Sequence, residues 1–133
     1  MIKHVFAIDS HAAGMASRMI IGSLIWKKCK DMYEKMKYFT ENYDWVRRAL
    51  ILEPRGHDNM FGSVICEPCD AKADIGAFYI HTGGTLNMCG HGMIALVTSL
   101  IELGFQINDA VVILKYKIPT LLISNMRKRT RKE

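Results

Sequence analysis

The sequence has no long apolar run near its start: Met19 to Trp26 is 8 residues, interrupted by Gly22 and Ser23, less than half of what a bilayer span requires. That predicts no transmembrane helix and no membrane partner. No secretory leader is expected either, because Met1-Ile2-Lys3-His4 runs straight into a strand-like stretch without a cationic region, an apolar stretch and a small-residue cleavage site. The expectation is a cytoplasmic protein. Cysteine is scarce, with 4 in 133 residues (Cys29, Cys66, Cys69 and Cys89), too few for a disulfide framework in a chain of this length. Cys66-Glu67-Pro68-Cys69 has metal-ligand spacing but no second Cys-x-x-Cys or His-x-x-x-His to complete a tetrahedral set, so no metal is expected. A thioredoxin-like reading of the same pair fails because Pro68 and Asp70 read as a turn where a helix would have to begin. Internal repeats and low-complexity segments are not evident.

Net charge is nearly absent from the body of the chain. The formal charge is +5, yet residues 127–133 alone hold five cations and one anion, which leaves 13 cations against 12 anions in residues 1–126. A basic stripe across a folded face is therefore lacking, and the terminal run reads as a solvated tail, not a groove reader. No nucleic-acid partner is expected, and the division is into a folded unit over 1–124 and a basic, disordered tail over 125–133.

What is present is the composition of one globular domain, 50% hydrophobic and 23% charged. Folding at this size removes about two thirds of the unfolded chain's surface from water, so no metal or disulfide is needed merely to hold the chain together. Lys3 to Asp9 and Arg18 to Gly22 read as a hairpin-like pair of strands joined through the His11-Ala12-Ala13-Gly14 linker. From Cys29 to Leu50, Met32, Tyr33, Met36, Phe39, Tyr43, Val46 and Leu50 recur at spacings of three and four. This predicts an amphipathic helix, broken near Thr40-Glu41-Asn42 and stopped by Pro54. Phe61 to Cys66 and Ile75 to Ile80 read as strands around the Pro68 turn, and His81 to Thr85 as a loop. Met93 to Leu103 is apolar on almost every side, the pattern of a buried helix, with Gly104 as its stop. Ala110 to Tyr116 and Leu121 to Ile123 read as strands flanking Pro119. The sum is an α/β or α+β fold, with short strands around a central buried helix.

The chemistry concentrates in Asn87-Met88-Cys89-Gly90-His91-Gly92, immediately before that helix. Unpaired backbone amides and a partial positive charge at a helix N-terminus stabilise a thiolate, which makes Cys89 a candidate nucleophile or base. Gly90 and Gly92 leave those amides open to a carboxylate, and His91 stands beside both. The plainer alternative is a core thiol at a tight helix start. Glu53-Pro54-Arg55-Gly56-His57-Asp58-Asn59-Met60-Phe61-Gly62 is a second polar loop, where His57 or Asp58 could orient a substrate amine. His11 with Arg18 forms a third and weaker cluster. Cys29, flanked by Lys27, Lys28 and Lys30, reads as packing filler.

Taken together, Ile8-Asp9-Ser10-His11 with Gly14 and Arg18, Glu53-Pro54-Arg55-Gly56-His57 with Met60-Phe61-Gly62, Ala73-Asp74-Ile75-Gly76, and Asn87-Met88-Cys89-Gly90-His91-Gly92 resemble the proline racemases, including hydroxyproline epimerases and 3-hydroxyproline dehydratases. The resemblance covers about residues 3–105, more loosely to Ile123. It implies a lobe of the diaminopimelate-epimerase type, a curved mixed sheet wrapped around a central helix, here Met93 to Leu103. It also implies cofactor-free inversion at the α-carbon of proline or hydroxyproline by two cysteines on opposite faces of the substrate. Carried over position by position, Cys89 is one acid/base cysteine, Gly90 and His91 offer backbone amides, the His91 side chain approaches the substrate nitrogen and Phe61 walls the ring pocket; His57 is expected among the substrate-binding residues with them.

Departures accompany the match. Ala12 stands where the family commonly has threonine, and Met15-Ala16 where Glu-Pro is frequent. The family's second lobe brings the opposing cysteine in an Asp-Arg-Ser-Pro-Cys-Gly-Thr-Gly-like block that nothing here matches, so the reading is an N-terminal lobe carrying half of the site and inactive as a monomer. A homodimer sharing a cleft and a non-catalytic binding or assembly module are the alternatives.

Overall fold

The structure is a computed structural model that describes residues 4–86 and 88–105, together with the strand backbones at 111–113 and 116–117. Its elements are β1 (Ala7–Ala12), β2 (Met15–Ile21), α1 (Met32–Ile51), β3 (Phe61–Cys66), β4 (Ile75–His81), β5 (Gly84–Leu86), α2 (Gly90–Glu102), β6 (Val111–Ile113) and β7 (Tyr116–Lys117).

The strands form one mixed sheet in the order β1-β2-β3-β4-β6-β7, with β5 also on β4. The pairs β2–β3 and β4–β6 are parallel and the others antiparallel. Each parallel pair is joined through a helix, α1 for the first and α2 for the second. β3 and β4 run in opposite senses while both crossovers step the same way along the sheet, so crossovers of the same, favoured hand place the two helices on opposite faces. The core is divided accordingly. Met32, Met36, Phe39, Val46 and Ile51 of α1 pack with Ile20, Val64, Phe78 and Ile80 on one face. Leu96, Val97 and Leu100 of α2 pack with Met19, Ile75, Ala77 and Tyr79 on the other.

Local chemistry sets the boundaries. The β1–β2 hairpin turns on Ala13 (φ 51°) and Gly14 (φ 85°), two left-handed residues of the sort that match the twist of paired strands. This fixes Ala12 opposite Met15, so the predicted strand at Lys3 to Asp9 is displaced to Ala7–Ala12 and the second begins at Met15, not Arg18. His11 and Ala12 are strand residues, not linker. α1 begins later than expected because Asp31 caps it, accepting the Glu34 amide at 2.8 Å, while Glu34 accepts the Lys30 amide at 2.9 Å. The expected break at Thr40-Glu41-Asn42 is absent. Thr40 Oγ1 donates to the Met36 carbonyl at 3.1 Å and Asn42 to the Tyr38 carbonyl at 2.9 Å, so these polar side chains bond back one turn and the helix continues to Ile51.

The expected loop at His81 to Thr85 is instead a hairpin, with His81 ending β4, a turn at Thr82-Gly83 and β5 from Gly84. α2 ends as predicted at Gly104 (φ 83°), where the Gly104 amide donates to Ile101 and the Phe105 amide to Leu100, a Schellman closure. It begins earlier than predicted, at Gly90, and is covered on the sheet side only: Ile94 is 48% exposed, against the all-round burial that its composition implied. The single strand expected over Ala110 to Tyr116 divides into the paired β6 and β7. The expected strand at Leu121 to Ile123 and the tail over 125–133 lie outside the described residues. Among the described residues no helix is long and apolar enough to cross a membrane.

Candidate active site

Strand registers bring the sequence blocks to one end of the sheet. Ser10 pairs with Ser17, Ser17 with Phe61, and Phe61 with His81, so these four lie in one row. Strand alternation puts them on the face that carries Met19 and Tyr79, the α2 face. Behind them the next row on that face is Ile8, Met19, Ser63 and Tyr79. The first turn of α2 rests on these rows. Gly92 sits against Tyr79 and Phe61 so closely that a Cβ there would come within 2.7 Å of the tyrosine ring and 2.9 Å of the phenylalanine ring. A side chain at 92 would lift the helix start off the sheet.

Cys89 is the N-cap of α2. Its carbonyl accepts the Met93 amide at 2.9 Å and its Sγ accepts the Gly92 amide at 3.3 Å. A capping side chain is ordinarily serine, threonine, aspartate or asparagine; sulfur in that place is held at the positive end of the helix, and it is half-buried, not sealed in the core. Gly90 and His91 follow as exposed residues, and a Cβ at Gly90 would meet nothing within 4 Å. The opening turn of α2 is therefore accessible beside the sulfur, and the first amides of a helix are groups able to bind an anion.

The remaining predicted residues take different places. Phe61 is buried at the head of β3, directly behind Gly92. His57 is exposed on the loop leading into β3, its Nδ1 accepting the Asn59 amide at 3.2 Å. His11 is exposed on β1, its Nδ1 accepting the Gly14 amide at 3.1 Å, and so supports the hairpin turn. Arg18 points to the other face. It pairs with both oxygens of Asp9 at 2.7 and 2.9 Å and donates to the carbonyls of Leu50 and Arg55 at 2.7 and 2.8 Å, tying the hairpin to the end of α1 and to the loop that carries His57. The Arg18 guanidinium holds the Asp9 carboxyl below the usual carboxylate range. The block Ala73-Asp74-Ile75-Gly76 is not brought to this site: it lies at the far end of β4, where Gly76 packs on Met32 at the start of α1.

The other three cysteines also belong to that far end. Cys66 closes β3 and donates weakly to the Gly76 carbonyl at 3.6 Å, and burial pushes its thiol up to about 12. Cys69 is likewise shifted upward by burial. Cys29 donates to the Lys27 carbonyl at 3.4 Å. Among the described residues no group of three or more His, Cys, Asp or Glu is arranged to hold a metal ion.

Three residues of this end carry no local signal in the sequence that marks them as part of it. His81, in place of the expected loop, continues the alternation of Ile75, Ala77 and Tyr79. Tyr79 reads from the sequence only as a strand residue. Arg47 was one of many charges on α1, yet it is buried, pairs with Asp44 at 2.6 and 3.1 Å, and donates to the carbonyls of His81 and Thr82 at 3.1 and 2.6 Å. It thereby fastens the β4–β5 turn.

A sequence model described as proline racemase matches residues 7–125. The chain belongs to the proline racemase family. It is 49% identical over 102 residues to a proline racemase of Clostridioides difficile, covering 77% of this chain and 30% of that protein. It is 39% identical over 121 residues to a 4-hydroxyproline 2-epimerase of Spirosoma linguale, covering 90% of this chain and 36% of that one. The chain thus spans about a third of the length of these relatives. Among solved structures, a hydroxyproline epimerase from Agrobacterium vitis, crystallised with trans-4-hydroxy-L-proline, superposes with a TM-score of 0.68 at 19% identity, over 80% of this chain and 32% of that one. The architecture expected from the resemblance, a lobe of the diaminopimelate-epimerase type, is the one present.

Proposed function

We propose that this lobe supplies one half of a two-thiol site acting on the α-carbon of proline or hydroxyproline. The carboxylate docks on the amides of Gly90 and His91 at the start of α2, the ring rests against Phe61, the His91 side chain faces the ring nitrogen, and His57 borders the mouth. Cys89, as thiolate, takes the α-proton. Charge that develops on the carboxylate as the carbanion forms is stabilised by amides already aligned with the helix axis. The capping geometry of Cys89 carries this reading, since the same turn presents both a sulfur and the amides an anion requires.

Inversion needs a proton delivered to the opposite face of the carbanion. Cys29, Cys66 and Cys69 all sit at the far end of the sheet, so none of these three is the second thiol of the proposed pair. By this account the purified chain binds pyrrole-2-carboxylate, a planar analogue of the carbanion, but does not invert L-proline. Calorimetric titration and chiral chromatography test the two halves separately. Inversion at rates normal for an enzyme would overturn the half-site, and absence of binding would overturn the anion-binding turn.

A second reading is a non-catalytic assembly module, or a dimer of two such lobes. It is favoured by the apolar side chains exposed on and beside α2, with Met88, Ile94 and Leu103 at 48% and Phe105 at 53%. Sedimentation of the chain separates this from a monomeric half-site.

A further inference from the structure

Tyr79 is 0% exposed, and its hydroxyl has no hydrogen-bond partner. A buried phenol ordinarily finds one, and leaving it unmade costs free energy. Its neighbour across the strand pair, Ser63, is unpartnered as well, so the two hydroxyls do not satisfy each other. The tyrosine ring lies with Cδ1 and Cε1 against Gly92, the residue whose amide donates to the sulfur of Cys89 at 3.3 Å. The sulfur and the tyrosine ring are thus both neighbours of one residue in the first turn of α2, with no hydrogen bond yet joining the hydroxyl to that sulfur. A neutral thiol is a weak acceptor, whereas a thiolate accepts several donors strongly.

We propose that Tyr79 is a positioning residue for Cys89, its hydroxyl donating to the sulfur once the thiol has lost its proton, as a second donor beside the Gly92 amide. The acceptor that the buried hydroxyl lacks is then the charged form of the cysteine, and the sulfur is held between helix and sheet while it meets the substrate. Burial, and the negative charge of Cys89 itself, shift the Tyr79 phenol upward. It therefore stays protonated, and remains a donor, through the range in which thiols titrate. Among the described residues the other titratable groups at this end are His91 in the same turn, His81 at the end of β4 and His57 on the loop leading into β3; β1, β2 and β3 present Ser10, Ser17 and Phe61 on this face, none of them charged. The inference rests on Cys89 being the working sulfur of the proposed function, but its test uses the ligand-free protein, so it fails or succeeds independently of substrate binding.

The experiment is the rate of Cys89 alkylation by iodoacetamide, resolved by peptide mass spectrometry between about pH 6 and pH 10, in the unsubstituted chain and in Tyr79→Phe. Phenylalanine fills the same space and removes an oxygen that has no partner, so the fold is retained. The midpoint of the rate profile is expected to rise by about one pH unit, with labelling near neutral pH about tenfold slower. An unchanged midpoint in a folded Tyr79→Phe overturns the proposal. A second measurement needs no change at Tyr79. With 13Cζ-labelled tyrosine, the Tyr79 resonance should step at the Cys89 midpoint and lose that step in Cys89→Ser, and a resonance without a step in the unsubstituted chain contradicts the proposal equally.

Discussion

The ring of Tyr79 occupies the space that a side chain at Gly92 would need, with two ring carbons 2.7 Å from an ideal Cβ. Replacing a helical glycine by alanine ordinarily gains about 1 kcal/mol of helix propensity. Here overpacking costs about 1–3 kcal/mol, because Tyr79 is fully buried and Phe61 nearly so, and the penalty wins. Gly92→Ala should lower the urea midpoint, whereas Gly90→Ala, with nothing within 4 Å of the added carbon, should leave it unchanged or raise it slightly. Equal midpoints for the two variants would show that the start of α2 is not seated on the sheet as described.

Arg47 joins α1 to the β4–β5 turn through two carbonyls and a paired Asp44. Arg47→Ala leaves those groups without their donor in a buried setting and should cost about 2 kcal/mol or more. Arg47→Lys keeps the charge but not the fork, and should recover only part. Amide exchange at residues 82–86 reports the site directly, accelerating in Arg47→Ala more than exchange at the far end of β4.

Acid stability should carry the signature of the Asp9–Arg18 pair. The folded carboxyl of Asp9 lies below its ordinary value of 3.8, chiefly through hydrogen bonding to Arg18. Its contribution is therefore complete above that ordinary value and is lost as pH falls through the lower, folded value. Asp9→Asn should flatten the fall in melting temperature across this acid range and leave the slope near neutrality as it was. The effect is small, since the Asp9 side chain is 63% exposed.

The four thiols should separate under alkylation at mildly alkaline pH. Cys66, buried and pushed up to about 12, should be the last to react, and only in step with unfolding. Cys89, half-buried at an open helix start, should label in the native state. Peptide mapping over time gives the order, and early labelling of Cys66 would contradict the packing of the far end.

The parts of this fold legible in the sequence are those governed by short-range rules. Phe61 to Cys66 is a strand with the predicted bounds, and Gly104 ends α2 because only a left-handed residue closes that helix. Cys89 at the head of α2 was legible because the glycines around it exclude most other uses. Features set by pairing were not. The start of β1 depends on which residue faces Met15 across a two-residue turn, and Thr40-Glu41-Asn42 looks like a break until its side chains are seen to bond back along the helix. The roles of His81, Arg47 and Tyr79 arise from strand register and from a helix far away in sequence. No local pattern marks a charge that caps a turn 34 residues away or a phenol beneath a glycine 13 positions later.

The central claim is that the opening turn of α2 holds a carboxylate beside the sulfur of Cys89, and site-resolved alkylation in the presence of pyrrole-2-carboxylate tests it most directly. The account predicts that Cys89 is protected in proportion to occupancy while Cys29 and Cys69 label at unchanged rates. Labelling of Cys89 that is indifferent to saturating pyrrole-2-carboxylate would contradict it.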